Sequence, residues 1–479
     1  MRAEPSQRLD GRLHLTTIAF VAVAGVTLLA AVSATFVRVP LNGNEGWNAL
    51  HALHAMTREN LYAAVGYDNF PNYTPPYFYL LGWLGMLFGD YVFIGRVISI
   101  ASLLVISLNV GITARALGAG RNGAWSSAAL FFLITCLAAR GYVAMNDPQL
   151  LAHAVQSTGL VLLLRSSSDR IGARRVLMVV ALVLAGGLIK HNLIPVPLAI
   201  TIWLAMKDRR ALALWLVAGA TGVALAGAFA YAVFGAPLFE QVFGHERQYS
   251  LGLAFASWRW LWPHLPFAII AWLLAHQQRD VPGVRLMQIY LIAALLIGFL
   301  LAGGRGVNVN TYFDLSIASL PLVGLAITRS GFGTRQWLGS MPWQKLGLAV
   351  LVLVPVFIMG PAAVQHFVGR VQSLNDEDHF QPLLQTLAAA DGPVACENQT
   401  ICYWAGRDSA IDFSNMASIL RVDPQATEEF LRYLESKQIV MILMGSTRSG
   451  RLTPAANAVL LDNYTAEVTS PMHVYVPKD

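Results

Sequence analysis

Five positions in this otherwise lipid-soluble chain carry side chains suited to proton transfer or phosphate binding: Glu45, Asp147, Lys190, His191 and Arg305. Carboxylates can accept a proton or hold a cation, while Lys and Arg supply the charge a phosphate requires, Arg through a bidentate fork. Glu45 lies in VPLNGNEGWNALHALHAM, just past the first long apolar segment. The residues up to Asp90 add Trp47, His51, His54, Tyr73, Pro75-Pro76 and Tyr77. Ionisable groups beside a bilayer are costly to keep there, which marks this aromatic-rich loop as a place for chemistry.

Each residue also has a plainer reading. In Asn146-Asp147-Pro148, either Asn146 or Asp147 has the form of a helix cap before a first-turn proline, and a cap can still offer its second oxygen to a metal or a sugar phosphate. Lys190, in Lys190-His191-Asn192, is either a snorkelling anchor or a lipid-phosphate partner. Arg305, in GGRGVNVNTYF, has glycines around it that permit close backbone approach. His51 and His54 share a helical face, but no HExxH or cysteine cluster accompanies them, so an interfacial helix is the simpler account. His245-Glu246-Arg247 is substrate-facing or merely solvated. No GxGxxG after a strand, Walker motif or DxD run is present, so no cytoplasmic nucleotide site is visible.

The elements around these residues belong to a membrane protein. Of 479 residues, 56% are apolar and 13% charged, and the mean hydropathy is +0.53. A soluble chain of this size does not show such values. The net charge of +6 falls in short clusters between apolar runs, which fits membrane topology and not nucleic acid binding. Eleven apolar segments stand out, at 14–36, 91–116, 123–139, 148–165, 174–189, 191–206, 211–234, 258–276, 284–302, 311–328 and 343–361. The first follows Arg2, Arg8 and Arg12 and is long enough for an uncleaved anchor rather than a signal peptide.

With the N-terminus inside, the arginine-rich turns all face the cytoplasm, provided that 76–89 does not cross. That segment is short and aromatic, so it and 43–65 are expected to lie on the outer surface as interfacial helices. The expected architecture is a membrane all-α bundle of about 11 crossings over residues 1–362, followed by an extracytoplasmic α/β domain over 363–479. In the latter, VACEN and IVMILMG read as strands, PQATEEFLRYLESKQ as an amphipathic helix and HVYV as an edge strand. Of the three cysteines, Cys136 lies in an apolar helix; Cys396 and Cys402 either pair or act as small hydrophobes.

Taken together, the order of these motifs resembles the GT-C superfamily of polyprenyl-phosphate-sugar-dependent glycosyltransferases, which includes protein O-mannosyltransferases and the lipid A aminoarabinose transferase. The resemblance runs over roughly 14–330. It rests on the acid after the first crossing (Asn44-Glu45, where the family commonly has Asp-Glu), Pro75-Pro76-Tyr77-Phe78-Tyr79, Asn146-Asp147-Pro148, Lys190 and Tyr312-Phe313. It implies an inverting transfer of a sugar from a polyprenyl-phosphate donor to a hydroxyl of a glycan, lipid or protein. Glu45 would be the general base and Asp147 a second catalytic acid or the ligand of a divalent cation, Mg or Mn. Lys190, His191 and Arg305 would hold the donor phosphate. Trp47, His51, Tyr73, Tyr77, Tyr312 and Phe313 would line the substrate and lipid groove. The aminoarabinose branch carries Glu-Lys before the proline, where this chain has Tyr73-Thr74. The implied location is the bacterial cytoplasmic membrane, with the site facing the periplasm. A transporter or flippase of lipid-linked sugars is the alternative, and it predicts ionisable groups at the midplane.

Overall fold

The computed structural model describes residues 14–63, 66–68, 70–165, 170–244, 248–277, 281–330, 377–469 and 472–479, with scattered positions between 349 and 372. Arg2, Arg8, Arg12, His245, Glu246, Arg247, the 362/363 boundary and most of the segment 343–361 lie outside the described residues.

Helix α1 (Leu15–Thr35) is followed by α2 (Gly43–Thr57) and α3 (Pro75–Phe88), then by α4 (Tyr91–Ala116) and α5 (Arg121–Ala138). Further along come α6 (Pro148–Leu164), α7 (Ala173–Ile189), α8 (Pro195–Lys207), α9 (Arg209–Phe234) and α10 (Ala236–Phe243). The bundle ends with α11 (Leu251–Ala256), α12 (Trp258–Leu261), α13 (Leu265–Gln277), α14 (Pro282–Leu301) and α15 (Phe313–Ser330).

Among the described residues, five helices are long and apolar enough to cross a membrane: Leu15–Thr35, Tyr91–Ala116, Arg209–Phe234, Gly283–Leu301 and Val309–Ser330. Two shorter apolar helices, Pro148–Leu164 and Pro195–Lys207, accompany them. Helix α15 is buried along nearly its whole length against α5, α13 and α14, whereas α9 exposes Leu216, Val217, Val223, Leu225 and Phe229 as a lipid-facing helix would.

The 258–276 segment departs from expectation. It is broken between α12 and α13 at Pro263, which supplies no N–H to a continuing helix, while Pro266 stands in the first turn of α13. The expected surface helix 43–65 ends at Thr57.

The helix ends sort by charge. Arg115, Arg121, Arg165, Arg174, Lys207, Arg209, Arg285 and Arg329 all stand at one end of the bundle, where the α4–α5 turn meets α15 through Gly120 N–H donating to Thr328 Oγ1 (2.9 Å). The loops after α1, before α6, after α7 and after α14 stand at the other end.

The C-terminal part contains α16 (Glu377–Ala388), β1 (Val394–Cys396), α17 (Gln399–Trp404), α18 (Phe413–Val422), α19 (Pro424–Glu435) and β2 (Met441–Met444). It closes with α20 (Pro454–Asn463), β3 (Tyr464–Thr469) and β4 (Met472–Pro477). The sheet has the order β1-β2-β4-β3, with β1 and β2 parallel and the other pairs antiparallel. The HVYV strand is therefore internal and not at an edge. Its unforeseen partner is β3, with Thr465 opposite Val476 and Ala466 opposite Tyr475.

Cys396 and Cys402 form a disulfide at the two sides of the turn leading into α17. This helix is the joint between the two parts. Gly46 N–H donates to Thr400 Oγ1 (3.0 Å), and the Tyr403 hydroxyl accepts from Tyr91 N–H (2.8 Å). A Cβ at Gly46 would fall 1.9 Å from the Thr400 nitrogen, so only glycine permits this approach.

Candidate active site

The loop after α1 is held by a buried ion pair. Arg96, one turn into α4, donates Nε–H to Glu45 Oε1 (2.8 Å) and Nη2–H to Glu45 Oε2 (2.9 Å). Its remaining donors go to the carbonyls of Ala34 (3.0 Å), Val37 (2.7 Å) and Val39 (2.8 Å). All five guanidinium N–H groups are thus used, and Glu45 Oε2 also accepts from Leu41 N–H (2.9 Å). Glu45 is 0% exposed and Arg96 1%. The first helical turn of α2 is fixed in place by this pair and by Asn42, whose side chain accepts from Asn44 N–H.

A second brace crosses from α6. Asn146 Nδ2–H donates to the Glu45 carbonyl (3.0 Å), and Asn146 Oδ1 accepts from the Tyr77 hydroxyl (2.6 Å). Asn48 Nδ2–H donates to the Asn146 carbonyl (2.8 Å). Gly95 leaves room for this side chain, since a Cβ there would lie 2.0 Å from Asn146 Oδ1. The next residue, Asp147, caps α6 through Oδ1 accepting from Gln149 N–H (2.8 Å). Its Oδ2 makes no hydrogen bond among the described residues.

These braces frame a cavity of about 710 Å³. Asp147, Lys190, His191, Arg305, Trp47 and Tyr73 all line it. Lys190 is 5% exposed, and its Nζ lies 3.3 Å from the centre of the Tyr73 ring, a close cation–π contact. It caps the C-terminus of α7, where the helix dipole favours a cation. Arg305 is half-buried beside Gly306, which adopts a left-handed φ of 83°, and its Nη1–H donates to Gln248 Oε1 (3.1 Å). Val242, Leu300 and Leu301 add apolar side chains to the wall.

Several expected residues stand elsewhere. Glu45 is behind the wall, with both oxygens occupied by Arg96, so the free base expected at this position is absent from this geometry. His51 packs between Trp47 and Phe78, and its Nδ1 contacts the Trp47 carbonyl (2.7 Å). Burial lowers its pKa to about 3, which leaves it a neutral packing group. Tyr77 braces Asn146 and is not at the surface; burial raises its hydroxyl pKa well above the usual range. Tyr312 is buried with its hydroxyl against Ser257 Oγ (2.6 Å), and Phe313 stacks edge-on to Tyr142. None of the five is a lining residue.

A divalent cation would need more than this chain brings to Asp147. Among the described residues no group of three or more His, Cys, Asp or Glu could hold a metal ion. Asn44 lines the cavity as a neutral amide, so among the described residues Asp147 is the one carboxylate facing it. Among the described residues, those around Asp147 do not build a metal site.

The C-terminal part contributes lining residues that sequence reasoning missed: Ser414, Asn415, Arg421 and Arg451. Trp47 ties the two parts together by donating Nε1–H to Asp412 Oδ2 (2.8 Å). No local pattern marks these residues, because each reaches the cavity across more than 350 positions of chain from Trp47.

A bundle of apolar helices, a helix in the first loop and an α/β part meet around a cation-rich cavity, and this fold recurs in solved structures. The solved structures similar to this chain include ArnT from Cupriavidus metallidurans, in the apo state, at 15% identity and a TM-score of 0.63, covering 96% of this chain and 97% of that one. The same protein bound to undecaprenyl phosphate gives 16% identity and a TM-score of 0.59 with the same coverage. The Archaeoglobus fulgidus oligosaccharyltransferase tethered with an acceptor peptide gives 12% identity and a TM-score of 0.57, covering 96% of this chain and 74% of that one. At these identities the likeness is one of fold. No family model matches the chain, and no curated protein matches it.

Proposed function

We propose that this protein is an inverting glycosyltransferase that moves a sugar from a polyprenyl-phosphate donor to an acceptor hydroxyl at the outer face of the bacterial cytoplasmic membrane. The observation that carries this reading is the sharing of one cavity by Asp147, Lys190 and Arg305, in a wall that also carries apolar side chains. A lipid-linked phosphate needs a cation at the boundary and an apolar path for its tail, and this combination supplies both. The undecaprenyl phosphate bound by the ArnT of similar fold supports the donor class. The Cys396–Cys402 disulfide supports an oxidising, extracytoplasmic side for the cavity.

The chemistry would run as follows. The acceptor oxygen attacks the anomeric carbon opposite the phosphate, and its proton passes to Asp147 Oδ2. The bond from that carbon to the phosphate oxygen breaks, its electron pair leaving with the polyprenyl phosphate. Lys190 and Arg305 stabilise the charge gained by the leaving phosphate, a contribution of the oxyanion type. Asp147 takes the base role expected of Glu45, and Glu45 holds the loop that positions Asn44 and Trp47.

The test is an assay of the purified chain with a panel of polyprenyl-phosphate sugars, with and without chelator, following release of polyprenyl phosphate. Turnover of at least one donor is expected. A chain that translocates lipid-linked sugar across vesicles with no covalent sugar product would be a transporter instead.

A further inference from the structure

The cavity holds more positive charge than a lipid phosphodiester, with its single negative charge, requires. Its lining includes four basic side chains, Lys190, Arg305, Arg421 and Arg451, and one carboxylate, Asp147. Among the described residues none of these four cations forms an ion pair.

Two of the four come from the C-terminal part and face charge of their own sign. Burial and then the charge of Arg305 pull the Arg421 guanidinium below its ordinary pKa. Arg451 packs on the start of α2, where a Cβ at Gly43 would lie 2.9 Å from Nη2. The N-terminal end of a helix carries partial positive charge, so a cation there is unfavourable until an anion joins it. Arg451 acts on Asp412, whose oxygens already accept from Trp47 Nε1–H, Asn415 Nδ2–H and the N–H groups of Ser414 and Asn415.

The structural bonds of the two arginines use one nitrogen each. Arg421 Nη1–H donates to the carbonyls of Ala417 and Arg451, and Arg451 Nη1–H donates to Ser414 Oγ. Nε and Nη2 of both make no hydrogen bond among the described residues. Ser414, Asn415 and Ser418 add neutral polar groups on the same wall.

We propose that Arg421 and Arg451 bind an acidic group, phosphate or carboxylate, carried by the acceptor, so that the acceptor is an anionic glycan or glycolipid. This rests on the transferase reading and names the class of its second substrate. The donor phosphate is met by Lys190 and Arg305, and the acceptor's charge is met by the C-terminal pair. The acceptor hydroxyl lies between them, toward Asp147.

The test uses the full chain in detergent, with undecaprenyl phosphate as donor-lipid probe and glucose 6-phosphate and glucose as acceptor probes. With undecaprenyl phosphate saturating, glucose 6-phosphate should bind and glucose should not. Arg421→Gln or Arg451→Gln should weaken glucose 6-phosphate by about tenfold or more, the effect of losing a charged hydrogen-bonded contact, and leave undecaprenyl phosphate affinity unchanged. Thermal unfolding is followed in parallel. Should Arg421→Gln fail to fold, Arg421→Lys and Arg451→Gln serve in its place. Equal binding of glucose, no effect of the substitutions, or parallel loss of undecaprenyl phosphate affinity overturns the inference. Failure of undecaprenyl phosphate to bind the unaltered chain overturns the transferase reading beneath it.

Discussion

Glu45 and Arg96 form a closed unit: two carboxylate oxygens meet two guanidinium nitrogens at 2.8 and 2.9 Å, away from solvent. Arg96 then gathers three carbonyls of the α1–α2 connection, so one side chain from α4 fixes the path of the whole first loop. Removing one partner of such a pair leaves an uncompensated buried charge, which costs about 3–5 kcal/mol. Glu45→Gln should therefore lower thermal stability markedly, and a double-mutant cycle with Arg96→Gln should show strong coupling. Turnover per folded molecule should survive. A Glu45→Gln variant of unchanged melting temperature with abolished turnover would return the base role to Glu45.

Asp147→Asn separates chemistry from structure. Asparagine caps a helix as well as aspartate does, so α6 should keep its start. Loss of the general base should lower kcat by about 10²–10⁴-fold. The paired readout is turnover and melting temperature, with only the first expected to move.

Lys190→Gln removes the cation stacked on Tyr73. Affinity for undecaprenyl phosphate should fall about tenfold or more. Stability should change little, because the lost cation–π contact is offset by relief of a buried unpaired charge. A titration of undecaprenyl phosphate against both forms measures this, and equal affinities would remove Lys190 from phosphate binding.

Gly46→Ala tests the joint between the two parts. Its Cβ would meet backbone of α17 at 1.9 Å, which no side-chain rotation relieves. The substitution should destabilise by about 1–3 kcal/mol or more, as overpacking does. It should also expose the neighbouring chain to limited proteolysis. A neutral effect on both would mean that α17 does not rest on α2.

The His54–Asp408 contact links α2 to the C-terminal part at 2.8 Å, with Arg58 at 3.5 Å from the same carboxylate. The hydrogen bond from His54 holds the Asp408 carboxyl below its ordinary pKa. A depressed carboxylate pKa contributes stability that is complete above the usual carboxylate range and is lost as pH falls through the lowered value. Asp408→Asn should lower stability in the neutral region and flatten the acid limb, so that the curves of the two forms converge at acid pH. Thermal melts at a series of acidic pH values check this.

Much of the frame was legible because hydrophobic length and charge are local properties. The segments at 91–116, 148–165, 174–189 and 211–234 became α4, α6, α7 and α9 almost to the residue. The arginines marked one end of the bundle, and the short, aromatic 76–89 segment became the separate helix α3. Proline-interrupted 258–276 became two helices, since apolar content alone does not register a helix break. In the site, Asp147 and Lys190 were recognisable from their helix-end settings. Glu45 was also conspicuous, but its partner Arg96 sits inside an apolar segment, 51 positions away, with nothing local to announce the pair.

The amino-acid sequence by itself determined that this is a membrane protein, which helices it forms and which ends of them carry polar groups. These follow from transfer energies and helix caps, which act over a few residues. Tertiary structure decided which polar groups face one another: Glu45 turned inward to Arg96, Asp147 and Lys190 turned to a common cavity, and Arg421 and Arg451 arrived from the far end of the chain. Such pairings depend on packing between distant segments, and the free energy that selects among them exists only once the helices and the α/β part have come together.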